Sequence, residues 1–359
     1  MALVTPTIEQ LEPYEPGKPA EEVAAELGIA DAVKLASNEN PLGPSPMALE
    51  ALGRAATDIH RYPDARAFAL REQLAARHNL PLNEVLHGNG SNELIDLLVR
   101  TFCTAEHHVV FAAPSFVVYR LACLAQGVPF TAVPLRDYTH DLEAMADAVT
   151  SRTRLLFIAN PNNPTGTHVD LPALMQLLRD VPPEVIVVVD EAYIEYADAA
   201  DFPDAISLRG ARERLVVLRT FSKIYGLAAL RVGYAIGPAK LLDYVNRVRA
   251  PFNVGTLGQV AARAALDDEA HVERSRRLNA EQRTRLFADL QHLGLRVVPS
   301  QANFLYVDFG RPARPLFERL LERGVIVRPF GALPNCARIT VGTAPQNDRL
   351  MQALAEVLT

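Results

Sequence analysis

This chain is short of cysteine, of positive charge and of long apolar runs, and each shortage excludes something. Its three cysteines, Cys103, Cys123 and Cys336, are odd in number and far apart, with no C-x-x-C pair. That excludes a disulfide framework and a zinc cluster of paired cysteines. Apolar neighbours mark each as an inert, half-buried thiol suited to a reducing cytoplasm. The formal charge of −6 argues against a nucleic-acid partner, which calls for a basic surface. No block of like charges forms a tail. No apolar run approaches the roughly 20 residues that span a bilayer. The stretch "MALVTPTIEQLEPYEPGKP" lacks a basic start followed by an apolar core, so it is not a secretory signal. The expectation is a cytoplasmic globular chain with no membrane partner.

What is present is substantial. With 359 residues, 49% of them hydrophobic, the chain exceeds what one simple core supports, so one large domain and one smaller are expected. Residues 1–45 read as a proline-rich arm around a short helix at 20–27, packing on the small domain or a partner subunit. Residues 46–250 read as the large domain. Helical stretches at 65–78 and 91–102 interleave there with short apolar runs at 109–112, 155–159, 185–189, 215–218 and 232–236. That alternation is the pattern of a parallel sheet covered on both faces by helices. The run "EVIVVVD" lacks polar/apolar alternation and predicts a central strand buried on both sides. Residues 251–359 read as a smaller α+β unit. It holds a long helix over 268–293 stopped by Gly294, strands at 296–298, 303–307, 325–327 and 338–341, and helices at 315–323 and 345–357.

Several motifs fall away. "GNGSNE", from Gly88 to Glu93, has glutamate where a dinucleotide fingerprint needs its third glycine. There is no P-loop, no H-E-x-x-H and no G-x-S-x-G. The pair His107 and His108 reads as a solvated strand edge, not a metal site. The backbone at Gly90, Ser91 and Asn92 opens a helix, which is a ready anion site; the plainer reading is an N-cap made by Ser91.

Four segments remain. "NPNNPTG" presents Asn163 rigidly at the end of a strand, between Pro161 and Gly166. "VVVDEAYIEYA" ends its strand in Asp190, where open α/β sheets bind ligands, with Tyr193 three residues on. A buried carboxylate there is costly without a charged partner, and a protonated pyridine nitrogen is such a partner. Glu191 and Glu195 read as flanking polar residues. "TFSKIYGLAALRVG" sets Lys223 in nearly uncharged surroundings that lower its pKa, as Schiff-base chemistry requires, with Ser222 and Arg231 suited to a phosphate. "CARITVG" starts a strand of the small domain with Arg338, able to reach a substrate carboxylate across the cleft.

In that order and spacing, Asn163, Asp190, Tyr193, Ser222, Lys223 and Arg231 resemble the fold-type I pyridoxal-phosphate aminotransferases. The match runs from "NENPLG" and "RYPD" to "RITVG", and within that family "NPNNPTG", "VDEAYIEY", "FSKIYGLAALRVGYAIG" and "QANFLYVD" are most similar to the class II histidinol-phosphate branch. The resemblance implies a mostly parallel seven-stranded sheet between helices, a smaller α+β C-terminal domain, and pyridoxal 5′-phosphate as cofactor with no metal. It implies that Lys223 holds the cofactor and moves the proton, while Asp190 faces the pyridine nitrogen. Asn163 and Tyr193 then bind the ring oxygen, and Phe116 stacks on the ring, where many relatives have tyrosine. Gly90, Ser91, Asn92, Ser222 and Arg231 hold the phosphate, joined by Tyr62 from the neighbouring subunit of a homodimer. Arg338, assisted by Arg328, anchors the substrate, and Tyr14 and Asn40 close over it. The implied reaction moves an amino group between histidinol phosphate or its keto counterpart and glutamate or 2-oxoglutarate. Aromatic amino-acid transamination and threonine-phosphate decarboxylation stay open as alternatives.

Overall fold

The computed structural model describes residues 3–12, 22, 25, 28–29, 32–331 and 333–358. Seven strands form the main sheet: β2 (Val85–Gly88), β3 (His108–Ala113), β4 (Phe130–Pro134), β5 (Thr153–Ala159), β6 (Ile186–Asp190), β7 (Leu215–Thr220) and β8 (Gly233–Ile236). Their order is β2-β8-β7-β6-β5-β3-β4, with β8 antiparallel to both its neighbours and the β7-to-β4 run parallel. The expected α/β class and mostly parallel seven-stranded sheet are therefore present.

β6 explains its own unbroken apolar text. Val187 and Val189 enter the hydrophobic cluster on one face of the sheet, while Ile186 and Val188 enter the cluster on the other. Both faces are dry, so period-two side chains must all be apolar. Two strands escape the sequence pattern. β2 is four residues long, and β4 is an edge strand whose faces are only partly buried. Neither offers a run long or apolar enough to stand out. His108 corrects a second expectation: it is buried, not a solvated edge, and its two ring nitrogens meet Thr153 and Thr131 hydroxyls at 2.9 Å. All three cysteines are buried free thiols.

The small unit holds a four-stranded antiparallel sheet ordered β12-β13-β10-β9, made of Arg328–Phe330, Leu333–Thr340, Phe304–Asp308 and Arg296–Val298. Its last strand starts five residues earlier than the sequence reading. The added residues, among them Pro334 and Asn335, have poor strand propensity; Leu333 pairs with Phe330, Cys336 with Asp308, and Ala337 with both neighbouring strands. Helix Glu269–His292 ends at Gly294, whose φ of +76° gives the left-handed stop expected of it. The core of the large unit continues past residue 250: Ala261, Ala262 and Ala265 of helix Thr256–Asp267 share a cluster with Leu70 and Val187. The arm residues Val33–Lys34 (β1) pair in parallel with Val325–Ile326 (β11), and Leu35 bonds to Ile326 and Thr340, which ties residues 33–35 to the small unit. Among the described residues no helix is long and apolar enough to cross a membrane.

Candidate active site

Loops at the C-terminal ends of β3, β5, β6 and β7 converge on one cavity of about 220 Å³. The strand order reverses here, since β4 lies to one side of β3 while β5, β6 and β7 run to the other. A crevice opens at such a point because successive loops leave in opposite directions. Asp190, Asn163, Tyr193, Ser222, Lys223, Arg231 and Arg338 all line it, with Ser91, Asn92 and Phe116.

One end is cationic. Arg231 donates from Nη1 to Ser222 Oγ at 3.0 Å and to the Ala228 carbonyl at 3.1 Å. The helix Gly90–Phe102 points its first turn at the same place. Gly90 has φ +74°, and a Cβ there would lie 2.4 Å from Arg231 Nη2, so only glycine lets the guanidinium rest against the helix start. Ser91 is not the N-cap; Asn89 holds that position without a side-chain cap bond, leaving Ser91 inside the first turn at the cavity wall. Free backbone N–H groups, the positive helix end, a hydroxyl and a guanidinium together make an anion cradle.

The other end is acidic. Asp190 is buried at the end of β6, and its Oδ2 accepts a 2.9 Å hydrogen bond from Tyr119. Its Oδ1 is buried with no hydrogen-bond partner among the described residues. Burial pushes the Asp190 pKa up to about 6, against hydrogen bonding from Tyr119 and the Ala192 backbone and the Lys223 charge. The next residue corrects the sequence reading. Glu191 is wholly buried, chelated by Arg219 at 2.9 and 2.8 Å and bonded by the Ala205 N–H at 2.7 Å. It anchors the loop under Asp190 and is no solvent-facing polar residue.

Lys223 lies between these ends. Its Nζ donates to the carbonyls of Ser37 and Asn38 at 3.3 and 3.4 Å and lies 5.5 Å from the Tyr193 ring centre. Burial, helped by the charge of Arg338, lowers its pKa to about 7. Tyr193 accepts from Asn38 Nδ2 at 3.0 Å and from Asn163 Nδ2 at 3.5 Å. Arg338 donates to Asn163 Oδ1 and to the Ala36 carbonyl, both at 2.6 Å, which joins the small unit to the cavity.

Some sequence-predicted residues lie elsewhere. Asn40 is buried outside the cavity, its Nδ2 donating to the Ile224 carbonyl at 2.7 Å and to Ser275 Oγ at 2.9 Å. Arg328 sits opposite Arg338 in the β12–β13 pair and does not line the cavity. Tyr62 is 83% exposed, stacked on Phe252 with ring centres 4.7 Å apart. Tyr14 lies outside the described residues. Sequence reasoning missed Tyr119 and gave no role to Asn38. The first looks like an ordinary helix residue; the second carries a signal in "NENPLG", where its φ of +56° is a left-handed conformation that asparagine tolerates.

The profile of the family described as aminotransferase class I and II matches residues 30–354. A histidinol-phosphate aminotransferase 2 of Pseudomonas fluorescens is 49% identical over all of this chain and 98% of its own length. A histidinol-phosphate aminotransferase of Moorella thermoacetica is 48% identical over 97% of this chain and 91% of its own. Among solved structures, a histidinol-phosphate aminotransferase of Sinorhizobium meliloti, in complex with pyridoxal 5′-phosphate, superposes with a TM-score of 0.91. It is 29% identical, covering 100% of this chain and 98% of that one. The fold is thus fold-type I, and the cofactor is pyridoxal 5′-phosphate. The cavity fits that group. Asp190 Oδ1 is a buried acceptor in want of a cationic donor, the Arg231 cradle suits a phosphate, and Lys223 is a low-pKa amine between them. With a profile match over most of its length, near-half identity to full-length relatives and a cavity suited to their cofactor, the chain belongs to the class I and II aminotransferases.

Proposed function

We propose that this enzyme transfers an amino group between L-histidinol phosphate and 2-oxoglutarate, and in reverse between glutamate and imidazole-acetol phosphate. The observation that carries the reading is the near-half identity, over the whole chain, to relatives that bear that activity in their names. The cavity supports it with two guanidinium groups in its wall, Arg231 in the cradle and Arg338 from the small unit. One serves the cofactor phosphate, which leaves the other for the anionic group of the substrate. A guanidinium pairs bidentately with a carboxylate or a phosphate, so Arg338 serves both amino donors. Arg328, opposite it on β12, stands outside the cavity wall.

When bound, the cofactor supplies an electron-withdrawing ring that makes the substrate Cα–H acidic. This chain's residues do the rest. Asp190 would keep the ring nitrogen protonated through Oδ1, and Asn163 and Tyr193 would bind the ring oxygen. Phe116, in the cavity wall, would cover one ring face without the hydroxyl that a tyrosine would bring. Lys223 would hold the cofactor and, as an amine whose pKa is lowered to about 7, would be the base that takes the proton from the substrate Cα. Ser222 and Arg231 would hold the phosphate with the N–H groups at Gly90, Ser91 and Asn92.

The same reading makes the working unit a cytoplasmic homodimer. Tyr62, in the segment after helix Pro46–Ala55, and Phe252, in the segment before helix Thr256–Asp267, form an exposed aromatic pair, 83% and 42% accessible. In the dimer Tyr62 reaches the partner's phosphate cradle. The deciding experiment compares kcat/KM for histidinol phosphate, phenylalanine and threonine phosphate with 2-oxoglutarate as acceptor. Preference for histidinol phosphate is expected. A preference for phenylalanine overturns the substrate, and carbon dioxide release from threonine phosphate overturns the reaction.

A further inference from the structure

Tyr119, in the first turn of helix Val118–Gln126, is fully buried. Its ring is clamped, stacked on Phe157 with centres 4.8 Å apart and planes at 14°, and edge-on to Phe116 at 5.8 Å and 88°. From that fixed ring its hydroxyl donates to Asp190 Oδ2 at 2.9 Å, while Oδ1 of the same carboxylate has no partner among the described residues. A carboxylate offers two oxygens and can turn about its last torsion. A donor held on one oxygen stops that rotation and leaves the other oxygen for a ligand.

The geometry points to Tyr119 as a positioning residue for the cofactor, one that engages Oδ2 of Asp190 so that Oδ1 stays aimed at the ring nitrogen. This rests on the reading above that Asp190 faces that nitrogen. The choice of a phenol has a physical reason. A lysine or arginine in its place would fix the carboxylate too, yet would cancel the charge that the pyridinium needs. A neutral donor orients the group and keeps its field. Burial and the nearby Asp190 charge hold the Tyr119 pKa well above its usual value, so the phenol stays protonated and donating at any working pH. Through Phe116, which packs against its edge, Tyr119 also supports the wall expected to cover the ring face. One side chain therefore sets both the edge and the face of the ring site.

The test titrates the full-length protein, freed of cofactor, with three probes: pyridoxal 5′-phosphate, its analogue with carbon in place of the ring nitrogen, and inorganic phosphate. Wild-type protein should prefer the natural ring to the carbon analogue. Tyr119→Phe keeps the clamped ring and removes only the donor. It should lower that preference roughly 10- to 100-fold, the effect of leaving a buried charged acceptor short of one hydrogen bond. Binding of inorganic phosphate should not change. An undiminished preference overturns the inference. So does an equal loss for all three probes, which makes Tyr119 a packing residue alone. Asp190→Ala in the same assay separates the two levels. If it retains the full preference, the placement of Asp190 opposite the nitrogen fails. If it abolishes the preference while Tyr119→Phe does not, only the role of Tyr119 fails.

Discussion

Lys223 shows how far one residue's chemistry depends on residues far from it in sequence. Alone it is a lysine after a strand; in the fold, burial and the Arg338 and Arg231 charges bring its pKa to about 7, with Glu39 and Asp190 opposing. Only the neutral amine attacks a carbonyl, so the neutral fraction sets the rate of covalent cofactor capture. That rate should rise as pH increases through about 7 and level off above it, followed by stopped-flow absorbance after adding pyridoxal 5′-phosphate to the cofactor-free protein. Arg338→Gln removes one of the lowering charges and should move the midpoint upward. A rate that keeps rising into the ordinary lysine range contradicts this account. At this scale the sequence was legible for Asp190, Asn163, Lys223 and Arg231, because each follows a readable strand or turn. It was not legible for Tyr119, whose partner lies 71 positions away, or for Asn38, which meets Tyr193 across 155.

Among the elements, the cradle depends on the start of one helix. The backbone of Gly90 is left-handed and supports the tip of Arg231. Gly90→Ala adds roughly 1 kcal/mol of backbone strain, and its methyl displaces the guanidinium, the mobile end of a long side chain. The fold should therefore survive, with a melting temperature within a few degrees of wild type. Affinity for pyridoxal 5′-phosphate should fall at least roughly tenfold, as expected for a lost charge-assisted hydrogen bond. Collapse of the fold would show the glycine to be structural first; unchanged affinity would remove the helix start from the cradle. Strands covered on both faces, such as β6, announced themselves as unbroken apolar runs. β2 and β4 did not, because a short strand and an edge strand carry little periodic signal. His108 failed in the opposite direction: a polar residue that looked solvated is buried because two threonines from β4 and β5 satisfy its ring.

For the whole molecule the question is how distant parts complete one site. Asn38 donates to Tyr193, and its carbonyl accepts from both Lys223 and Asn303. Arg338 reaches from the small unit to Asn163. Three parts of the chain thus meet at one cavity, and in the proposed dimer a second copy adds Tyr62. This gives a complementation test. Lys223→Ala and Tyr62→Ala are each expected to impair turnover. Unfolded together, refolded and mixed in equal amounts, they should restore activity to roughly a quarter of the sites, since half the dimers are mixed and each holds one intact pair. No gain over the separate variants would place Tyr62 in its own subunit's chemistry or outside it.

The division between sequence and structure has a physical cause. Local text determined the class of the fold, the buried strands, the helix stop at Gly294 and the chemical types at the strand ends, because burial and turn geometry act over a few residues. Only the tertiary structure decided which atoms of those residues are engaged. It set Tyr119 on one oxygen of Asp190 while the other has no hydrogen-bond partner among the described residues, locked Glu191 onto Arg219, and turned Asn40 away from the cavity to hold the Lys223 loop. Such choices depend on partners tens to hundreds of residues away, and a hydrogen bond between them leaves no periodicity in the chain.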